Sequence, residues 1–354
     1  MSLSKKLQVT QRMPHRASSL QCGKAALPGG AKLRHSKVEE TTMAVVEQLR
    51  DVRPAAGQWP QGAAWTDGRF VPIEQAGIPI TDWGFVRSDV TYDVAHVWRG
   101  NFFRLENHLD RFTASMKGLR MSLPFGRETI AQILHDCVRA TGQRDAYAAM
   151  LCTRGTPAPG KPRHPAYCVN RFFAFVIPWV WVMPPEMQER GAHLIVAKTP
   201  RIPAASVDPT IKNYHWGDMT RGLFEAQDAG ADNAVLLDSD GYVTEGPGFN
   251  VFAVIGGTVV SPDRGALEGI TRMSVLELCN ELGIPVRLGR ITADDLRNAD
   301  EVFCATTAGG VMPVSQVDGK RVSGGKPGSI SLRLRTRYWE KHAEGWHATP
   351  VDYD

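Results

Sequence analysis

One lysine and three loops that follow it carry side chains whose types and order could do chemistry. The lysine is Lys212, and the loops are residues 244–250, 269–272 and 304–310. Together they offer a nucleophilic amine, a carboxylate, and two sets of backbone N–H and hydroxyl donors for an anion. Each piece is common by itself, but their order along one stretch makes the set informative.

These groups match the requirements of pyridoxal phosphate. Its aldehyde needs a lysine amine, its ring nitrogen needs an acid, and its phosphate needs hydrogen-bond donors. Lys212 would supply the amine, which serves as a base once it is released. Glu245, 33 residues further on, would face the ring nitrogen and keep it protonated. The residues therefore predict pyridoxal 5'-phosphate as the cofactor.

The predicted phosphate donors lie in the second and third loops. Gly269, Ile270 and Thr271 open a helix, whose free N–H groups and positive dipole end attract an anion. Thr306 and Thr307 add two more hydroxyl and N–H groups. A Gly-x-Thr helix start is usually only a cap, so it indicates a phosphate site only together with the other loops.

These motifs resemble those of the class IV, or fold-type IV, pyridoxal-phosphate aminotransferases, and most closely the R-selective amine transaminase branch. The resemblance runs from about Ala63 to the C-terminus, and it includes residues 84–92 and the His108-Leu109-Asp110-Arg111 element. It implies an α+β, two-domain fold of the D-amino acid aminotransferase type, with the cofactor in the cleft between the domains. It also implies a homodimer whose active sites take residues from both subunits.

The resemblance assigns further cofactor contacts. It places Arg111 on the phosphate, whose oxygens a guanidinium fork fits well. It places Trp216 near the cofactor ring. Many members have a tyrosine five residues after the lysine, as a partner for the cofactor's phenolic oxygen. Here that position is Gly217, a departure shared with the amine transaminase branch, and the partner of the phenolic oxygen stays unidentified.

Substrate-pocket positions also follow from the resemblance. The apolar and aromatic lining would suit amines or keto acids with hydrophobic groups, and its members are Tyr92, Val94, Tyr147, Trp216 and Ala308. Each of these could equally be a core residue. Arg87 stands where relatives commonly carry histidine and could pair with a substrate carboxylate. Lys161 or Arg163, in a loop at 155–165 that resembles a lid, could do the same.

Turn signals and apolar periodicity predict the elements that position these residues. Asp67-Gly68 and Gly100-Asn101 predict two hairpins, and apolar spacing predicts helices at 106–119 and 128–140. Further strands are expected at 147–153, 172–182, 194–197, 233–238, 241–245, 249–255, 258–261 and 301–305, and further helices at 216–229, 271–282 and 328–344.

These elements predict a domain organisation. A chain of 354 residues exceeds the usual size of a single core. We expect a small α+β domain at 60–183, a large cofactor-binding domain at 190–325, and a C-terminal helix and tail at 326–354. Residues 1–42 are basic and lack apolar periodicity; we expect a disordered or mis-started extension there, with a targeting segment as the alternative.

Composition excludes several classes of protein. The net charge of +4 is small, and residues 1–38 contain eight Lys and Arg before the first acid at Glu39, so the basic balance does not indicate nucleic acid. The longest apolar run, 172–185, is too short to span a bilayer. The six cysteines show no metal-ligand spacing, which favours reduced thiols in a cytoplasmic enzyme and no metal site.

The sequence thus predicts a transaminase that moves an amino group between an amine, expected to be an R-amine or D-amino acid, and a keto acid such as pyruvate. Three alternatives remain. A branched-chain amino acid aminotransferase, using L-Leu, L-Ile or L-Val with 2-oxoglutarate, is the nearest. An aminodeoxychorismate lyase shares the cofactor site but needs no amine acceptor. A catalytically dead binding module is disfavoured, because it would be expected to lose Lys212 or Glu245.

Overall fold

The structure is a computed structural model and describes residues 53–354. The extension predicted for residues 1–42 lies outside the described residues. The strands, in chain order, are β1 (Ala63–Thr66), β2 (Arg69–Pro72), β3 (Val90–Trp98), β4 (Asn101–Phe103), β5 (Ala146–Pro157), β6 (Cys168–Pro178), β7 (Ala192–Val196), β8 (Asn233–Val235), β9 (Glu245–Gly246), β10 (Phe249–Ile255), β11 (Thr258–Ser261), β12 (Val286–Leu288), β13 (Glu301–Thr306), β14 (Gly310–Val317), β15 (Lys320–Arg321) and β16 (Ala348–Pro350). The α-helices are α1 (Trp83–Val86), α2 (Leu105–Gly118), α3 (Arg127–Thr141), α4 (Pro185–Arg190), α5 (Gly217–Asp228), α6 (Ile270–Glu281), α7 (Ala293–Arg297) and α8 (Ser329–Ala343).

The first sheet has seven antiparallel strands in the order β16-β4-β3-β5-β6-β1-β2. Two of its hairpins turn on a pair of residues with positive φ, Asp67-Gly68 after β1 and Arg99-Gly100 after β3. Such left-handed pairs match the right-handed twist of the flanking strands. These tight turns fix the register of both hairpins.

Strand β3 separates a helix-covered core from the side that faces the second sheet. Ala95 and Val97 pack in a core with the apolar faces of α2 and α3. Tyr92 and Val94 point the other way, toward Phe173 and neighbouring strand residues. Because successive side chains of a strand alternate between faces, β3 is buried on both sides and presents every second residue to the opposite face.

The second sheet is mixed, in the order β12-β11-β10-β13-β14-β7-β8, with β9 paired to β10 and β15 paired to β14. Val251 and Ala253 of β10 lie in the core on one face. Phe252 and Val254 lie in a second core with α6 and α8, whose members include Val275, Leu278, Leu334 and Tyr338. This sheet and the helix α6 carry most of the loops singled out in the sequence.

The C-terminal segment joins the two sheets. Helix α8 contacts β14 of the second sheet, and β16 then pairs with β4 at the edge of the first sheet. In the described part of the chain, no helix is long and apolar enough to cross a membrane.

Most of the predicted elements are confirmed. The hairpins at β1/β2 and β10/β11 and the helices α2, α3, α5, α6 and α8 lie within about two residues of their predicted positions. Asp67-Gly68 and the helical apolar spacing were reliable because both depend only on local sequence. The α+β fold class is confirmed as well.

Several details of the prediction are wrong. The β3/β4 turn is Arg99-Gly100, because Asn101 already pairs with Trp98. The loop predicted at 155–165 is shorter, since Thr156 pairs with Val169 across β5 and β6. The strand predicted at 172–182 ends at Pro178, and the connector after it contains α4. Strand β14, inside the second sheet, was not predicted.

Candidate active site

A cavity of about 190 Å³ is lined by residues of both sheets and of the loops between them. It brings together residues that are far apart in the sequence. The predicted residues on its wall are Tyr92, Val94, Arg111, Tyr147, Lys212, Trp216, Glu245, Gly269, Ile270, Thr271, Thr306, Thr307 and Ala308.

The main chain at Lys212 is fixed by the first sheet. The Thr91 hydroxyl donates to the Lys212 carbonyl over 2.7 Å, and the Tyr92 N–H donates to the same oxygen over 3.2 Å. The Lys212 N–H donates to the Ser115 hydroxyl over 3.3 Å. With its backbone held by β3 and α2, the lysine extends its side chain to the cavity wall.

The Lys212 amine lies in an environment that favours its neutral form. Burial, together with the positive charge of Arg111, lowers the pKa of Lys212 to about 8, against partial compensation by Asp93 and Glu245. Its Nζ lies 4.4 Å from the centre of the Tyr92 ring, which stacks on Tyr214 with 3.8 Å between ring centres. A desolvated lysine of this kind is a better nucleophile than a surface lysine.

Glu245 is buried and held in one orientation. Its Oε1 accepts from Nε and Nη2 of Arg201 over 3.3 and 3.2 Å, and its Oε2 accepts from the Leu267 N–H over 3.0 Å. Burial raises the pKa of Glu245, and the charge of Arg201 and the Leu267 N–H limit that rise. Arg201 in turn donates to Asp218 over 2.7 Å.

The start of α6 is pinned so that it faces the cavity. Asn250 donates through Nδ2 to the Leu267 carbonyl over 2.8 Å, and Arg111 donates through Nη1 to the Glu268 carbonyl over 3.0 Å. Gly269 is the N-cap residue and brings no capping side chain. A Cβ there would overlap Asn250 Oδ1, whose amide group is held by the Leu267 carbonyl, so the position favours glycine. The first N–H groups of α6 therefore stand at the cavity wall without a side-chain cap.

Arg111 is aimed by a buried carboxylate. Its Nε and Nη2 donate to Asp93 Oδ2 and Oδ1 over 2.7 and 2.8 Å, and His108 Nδ1 contacts Asp93 Oδ1 at 2.8 Å. Burial alone would raise the pKa of Asp93, but Arg111 and His108 outweigh it and the pKa is lowered. A guanidinium has five N–H groups. Three are committed by the bonds to Asp93 and Glu268, which leaves two for a further acceptor at the cavity.

The loop after β13 offers fewer free hydroxyl donors than the sequence predicts. The Thr306 hydroxyl donates to the Gly248 carbonyl over 2.7 Å, so its hydrogen is already committed. The Thr307 carbonyl accepts from His96 Nδ1 over 2.8 Å, and the Ala308 carbonyl accepts from the Val182 N–H over 2.9 Å. The Ala308 N–H donates to the Thr306 hydroxyl oxygen over 3.4 Å, which leaves the N–H and the hydroxyl of Thr307 as the donors of this loop.

The three cations proposed for a substrate carboxylate lie outside this cavity. Arg87 is exposed and places its guanidinium 3.4 Å from the centre of the Trp83 ring. Lys161 and Arg163 are exposed in the hairpin loop between β5 and β6. The cavity of a single chain does not bring any of these three residues together with Lys212.

Sequence reasoning missed two polar residues of the site. Arg201 and Asp93 make the contacts that orient Glu245 and Arg111. No local motif marks Arg201, since its partner lies 44 positions away. Asp93 could have been found, because a carboxylate inside a β-branched and aromatic strand needs a buried partner. In the described residues, no cluster of three or more His, Cys, Asp or Glu could hold a metal ion.

Most of the chain that forms this site matches the sequence model of one protein family. The sequence model of the family "Amino-transferase class IV" matches residues 91–317, more than half of the chain. This chain belongs to the class IV aminotransferases. The family uses pyridoxal 5'-phosphate, and this aminotransferase is a transferase that depends on that cofactor.

Individual relatives cover most of this class IV aminotransferase. The D-alanine aminotransferase of Bacillus licheniformis is 30% identical over 273 residues, which are 76% of this chain and 93% of the relative. The branched-chain-amino-acid aminotransferase of Pseudomonas aeruginosa is 29% identical over 308 residues, which are 80% and 96% of the two chains. The branched-chain amino acid aminotransferase of Thermobaculum terrenum, solved in its PLP-form, has a TM-score of 0.74 at 28% identity and covers 83% of this chain and 99% of its own. The fold is therefore fold-type IV.

The cavity of this aminotransferase fits its cofactor. One wall has a desolvated amine at Lys212, and another has a buried carboxylate at Glu245. The uncapped start of α6 and two N–H groups of Arg111 provide a set of donors suited to a phosphate dianion.

Proposed function

We propose that this aminotransferase moves the amino group of an apolar amine, an R-amine or D-amino acid, to a small keto acid such as pyruvate. The observation that supports this proposal most directly is that the arginine side chains on the cavity wall are already engaged in ion pairs. Arg111 is paired with Asp93, Arg201 is paired with Glu245 and Asp218, and Lys212, the third basic residue of the described wall, is assigned to the cofactor aldehyde. An acceptor with a second carboxylate would need a further cation.

The other part of the wall is apolar. It includes Tyr92, Val94 and Tyr147 from the first sheet, Val180 and Val182 from the connector, and Ala308. Such a surface stabilises hydrocarbon or aryl substituents by about 25 cal/mol per Å² of apolar area removed from water. This lining supports an amine with a hydrophobic substituent. The handedness rests on the resemblance to the R-selective branch.

The proposed roles of the residues follow from their positions. When bound, the cofactor supplies an aldehyde carbon that receives the amino group and a ring that takes up electron density from the substrate carbon. The neutral Lys212 Nζ would bond to the aldehyde carbon with release of water, and after the incoming amine displaces it, the free amine would carry the proton between the substrate carbon and the cofactor carbon. Glu245 holds a proton on the ring nitrogen. Arg111 and the first N–H groups of α6 bind the phosphate, with Thr307.

A substrate panel tests the proposal. Purified protein is assayed with R- and S-1-phenylethylamine, D-alanine and L-leucine as donors, and with pyruvate and 2-oxoglutarate as acceptors. We expect the R-amine with pyruvate to give the highest kcat/KM. Highest activity with L-leucine and 2-oxoglutarate would contradict the proposal and favour the branched-chain alternative, to which several relatives belong. Repeated turnover of aminodeoxychorismate to pyruvate without an acceptor would indicate a lyase.

We propose that the active form is a homodimer in the cytoplasm. Apolar side chains are exposed on α1, just before it and at the start of β6, and they include Ile80, Phe85 at 68% exposure, Val86 and Val169. Exposed apolar side chains that lie together on a surface often mark a site of association. Arg87 follows Phe85 and Val86 directly, so a dimer through this surface would bring Arg87 close to a second copy. Sedimentation should show a dimer that Phe85→Glu converts toward monomer; an unchanged dimer would contradict this interface.

A further inference from the structure

Arg201 was not among the predicted site residues, yet it occupies a position between two buried carboxylates. It donates to Asp218 over 2.7 Å and to Glu245 Oε1 over 3.3 and 3.2 Å. All three side chains are nine-tenths or more buried. Asp218 also accepts from the Ile202 N–H over 2.7 Å, so the arginine is anchored at its own loop. The one short bond goes to Asp218 and the two longer ones to Glu245.

The charge of this cluster is unbalanced by one unit. Arg201 carries one positive charge, and Asp218 and Glu245 carry two negative charges when both are ionised. The net charge of −1 lies beside a cavity, where low dielectric makes an unpaired charge costly. Of the three residues, Glu245 and Arg201 line that cavity. The cluster is therefore suited to one cationic partner that enters from the cavity.

The hydrogen bonds of Glu245 also leave room for one further donor. An ionised carboxylate has about four acceptor positions. Arg201 fills two at Oε1, and the Leu267 N–H fills one at Oε2. One acceptor position at Oε2 is left, which suits a single N–H donor such as a protonated ring nitrogen.

We infer that Arg201 is a positioning residue, which keeps Glu245 ionised and turned so that its one free acceptor position meets the protonated ring nitrogen of the cofactor. Asp218 holds the guanidinium through the shorter hydrogen bond. Arg201 therefore stabilises the negative charge of Glu245 over a longer distance, and the Glu245 carboxylate keeps an acceptor position for the cofactor. This inference rests on the proposed contact of Glu245 with the cofactor. Arg201 acts through Glu245 and does not itself touch the reacting atoms.

The test compares cofactor binding by apoprotein variants rather than turnover. Pyridoxal phosphate is titrated into wild type, Arg201→Gln, Glu245→Gln and the double variant, and binding is followed by tryptophan fluorescence across pH 5.5 to 8.5. Arg201→Gln should weaken binding about tenfold, which corresponds to about 1.4 kcal/mol. The loss should grow as pH falls, because Glu245 without Arg201 becomes protonated at higher pH. In the Glu245→Gln background the same change should have less than about a twofold effect.

A matched control removes a different buried arginine pair. Arg154 binds Asp89 through two hydrogen bonds of 2.8 and 3.0 Å, away from the cavity wall. Arg154→Gln should lower thermal stability without a pH-dependent loss of cofactor affinity. Arg201→Lys keeps the charge and should recover most of the affinity at pH 7 and above. If Arg201→Lys folds no better than Arg201→Gln, isotope-edited infrared spectroscopy of the Glu245 carboxyl group in wild type and in Arg154→Gln shows directly whether Glu245 is ionised.

The outcomes separate the two proposals. If Glu245→Gln weakens binding and Arg201→Gln does not, or if the two losses add fully in the double variant, the role of Arg201 is overturned and that of Glu245 stands. If Glu245→Gln leaves binding unchanged, both roles fail. The substrate panel is independent of this result.

Discussion

The Thr91 hydroxyl donates to the backbone carbonyl of Lys212 over 2.7 Å, across 121 positions of sequence. The neighbouring residue Asn213 forms an isolated β-bridge with Thr91. Strand β3 of the first sheet thus holds the backbone of Lys212, whose side chain faces the loops of the second sheet. The position of the amine depends on how the two sheets are held together, and the lysine loop alone does not fix it.

Removing the Thr91 hydroxyl should make the position of the Lys212 backbone less fixed. Thr91→Val keeps the shape and leaves the Lys212 carbonyl with the Tyr92 N–H as its remaining donor. We expect kcat to fall about tenfold and the free energy of unfolding to fall by about 1 kcal/mol, the usual contribution of one hydrogen bond. Thr141→Val is the control, because the Thr141 hydroxyl donates to Val138 over 2.7 Å in α3, far from the cavity. Equal kcat losses in the two variants would contradict the role of Thr91.

The lowered pKa of Lys212 predicts how stability depends on pH. Between about 8 and 10.5 the unfolded chain binds more protons at this lysine than the folded chain does, so folded stability rises with pH. Lys212→Met should therefore stabilise the apoprotein at pH 7 by about 1–3 kcal/mol, and the gain should shrink above pH 8 and vanish near pH 10.5. Urea unfolding at pH 7, 8.5 and 10 measures this. Lys161→Met, at an exposed site, should show no such trend; a pH-independent effect of Lys212→Met would contradict the lowered pKa.

Asp93 should be a strong determinant of stability. Asp93→Asn leaves Arg111 and His108 without their buried carboxylate, and breaking such a pair costs on the order of 3 kcal/mol. Because the folded pKa of Asp93 is lowered, its contribution is complete above the ordinary aspartate pKa and declines progressively as pH falls from there toward the lower folded value. Urea unfolding at pH 7 and pH 3.5 checks both statements. Asp110→Asn removes the exposed pair with Arg127 and should cost less than about 1 kcal/mol; an equal cost would contradict the account.

His342 predicts sensitivity to acid. Burial lowers its pKa from 6.5 to about 4, with partial compensation from its bond to the Tyr338 carbonyl. Between those two pH values the unfolded chain takes up the proton and the folded chain does not, so stability falls as pH falls from 6.5 toward 4. His342→Gln should reduce this slope in urea unfolding at pH 7, 6 and 5 by about the share of one proton, while other buried histidines with a lowered pKa, such as His96, keep the rest. His164→Gln, in the exposed hairpin loop, should keep the wild-type slope, and an unreduced slope in His342→Gln would count against the assignment.

The sequence predicted the parts of the site that short motifs encode. Lys212, Glu245 and Gly269 were found because each belongs to a loop whose residue types have a chemical use. The structure places all three around one cavity. The Asp67-Gly68 turn and the helices α2 and α3 were predictable for a related reason, since local geometry decides them.

What the sequence could not predict depends on contacts between distant segments. Arg201 becomes part of the site through Glu245, and Asp93 through Arg111 on the next helix. The commitment of the Thr306 hydroxyl to Gly248 also required the fold, since 58 positions separate them. Arg87 failed to reach the cavity of its own chain because α1 turns it onto Trp83.

The central claim is that the Lys212 amine meets the aldehyde of the cofactor. Protein loaded with pyridoxal phosphate is reduced with borohydride and digested, and the peptides are sequenced by mass spectrometry. The account predicts that the phosphopyridoxyl group is found on Lys212, and that Lys212→Ala carries none. Labelling at a different lysine, or equal labelling of Lys212→Ala, would contradict it.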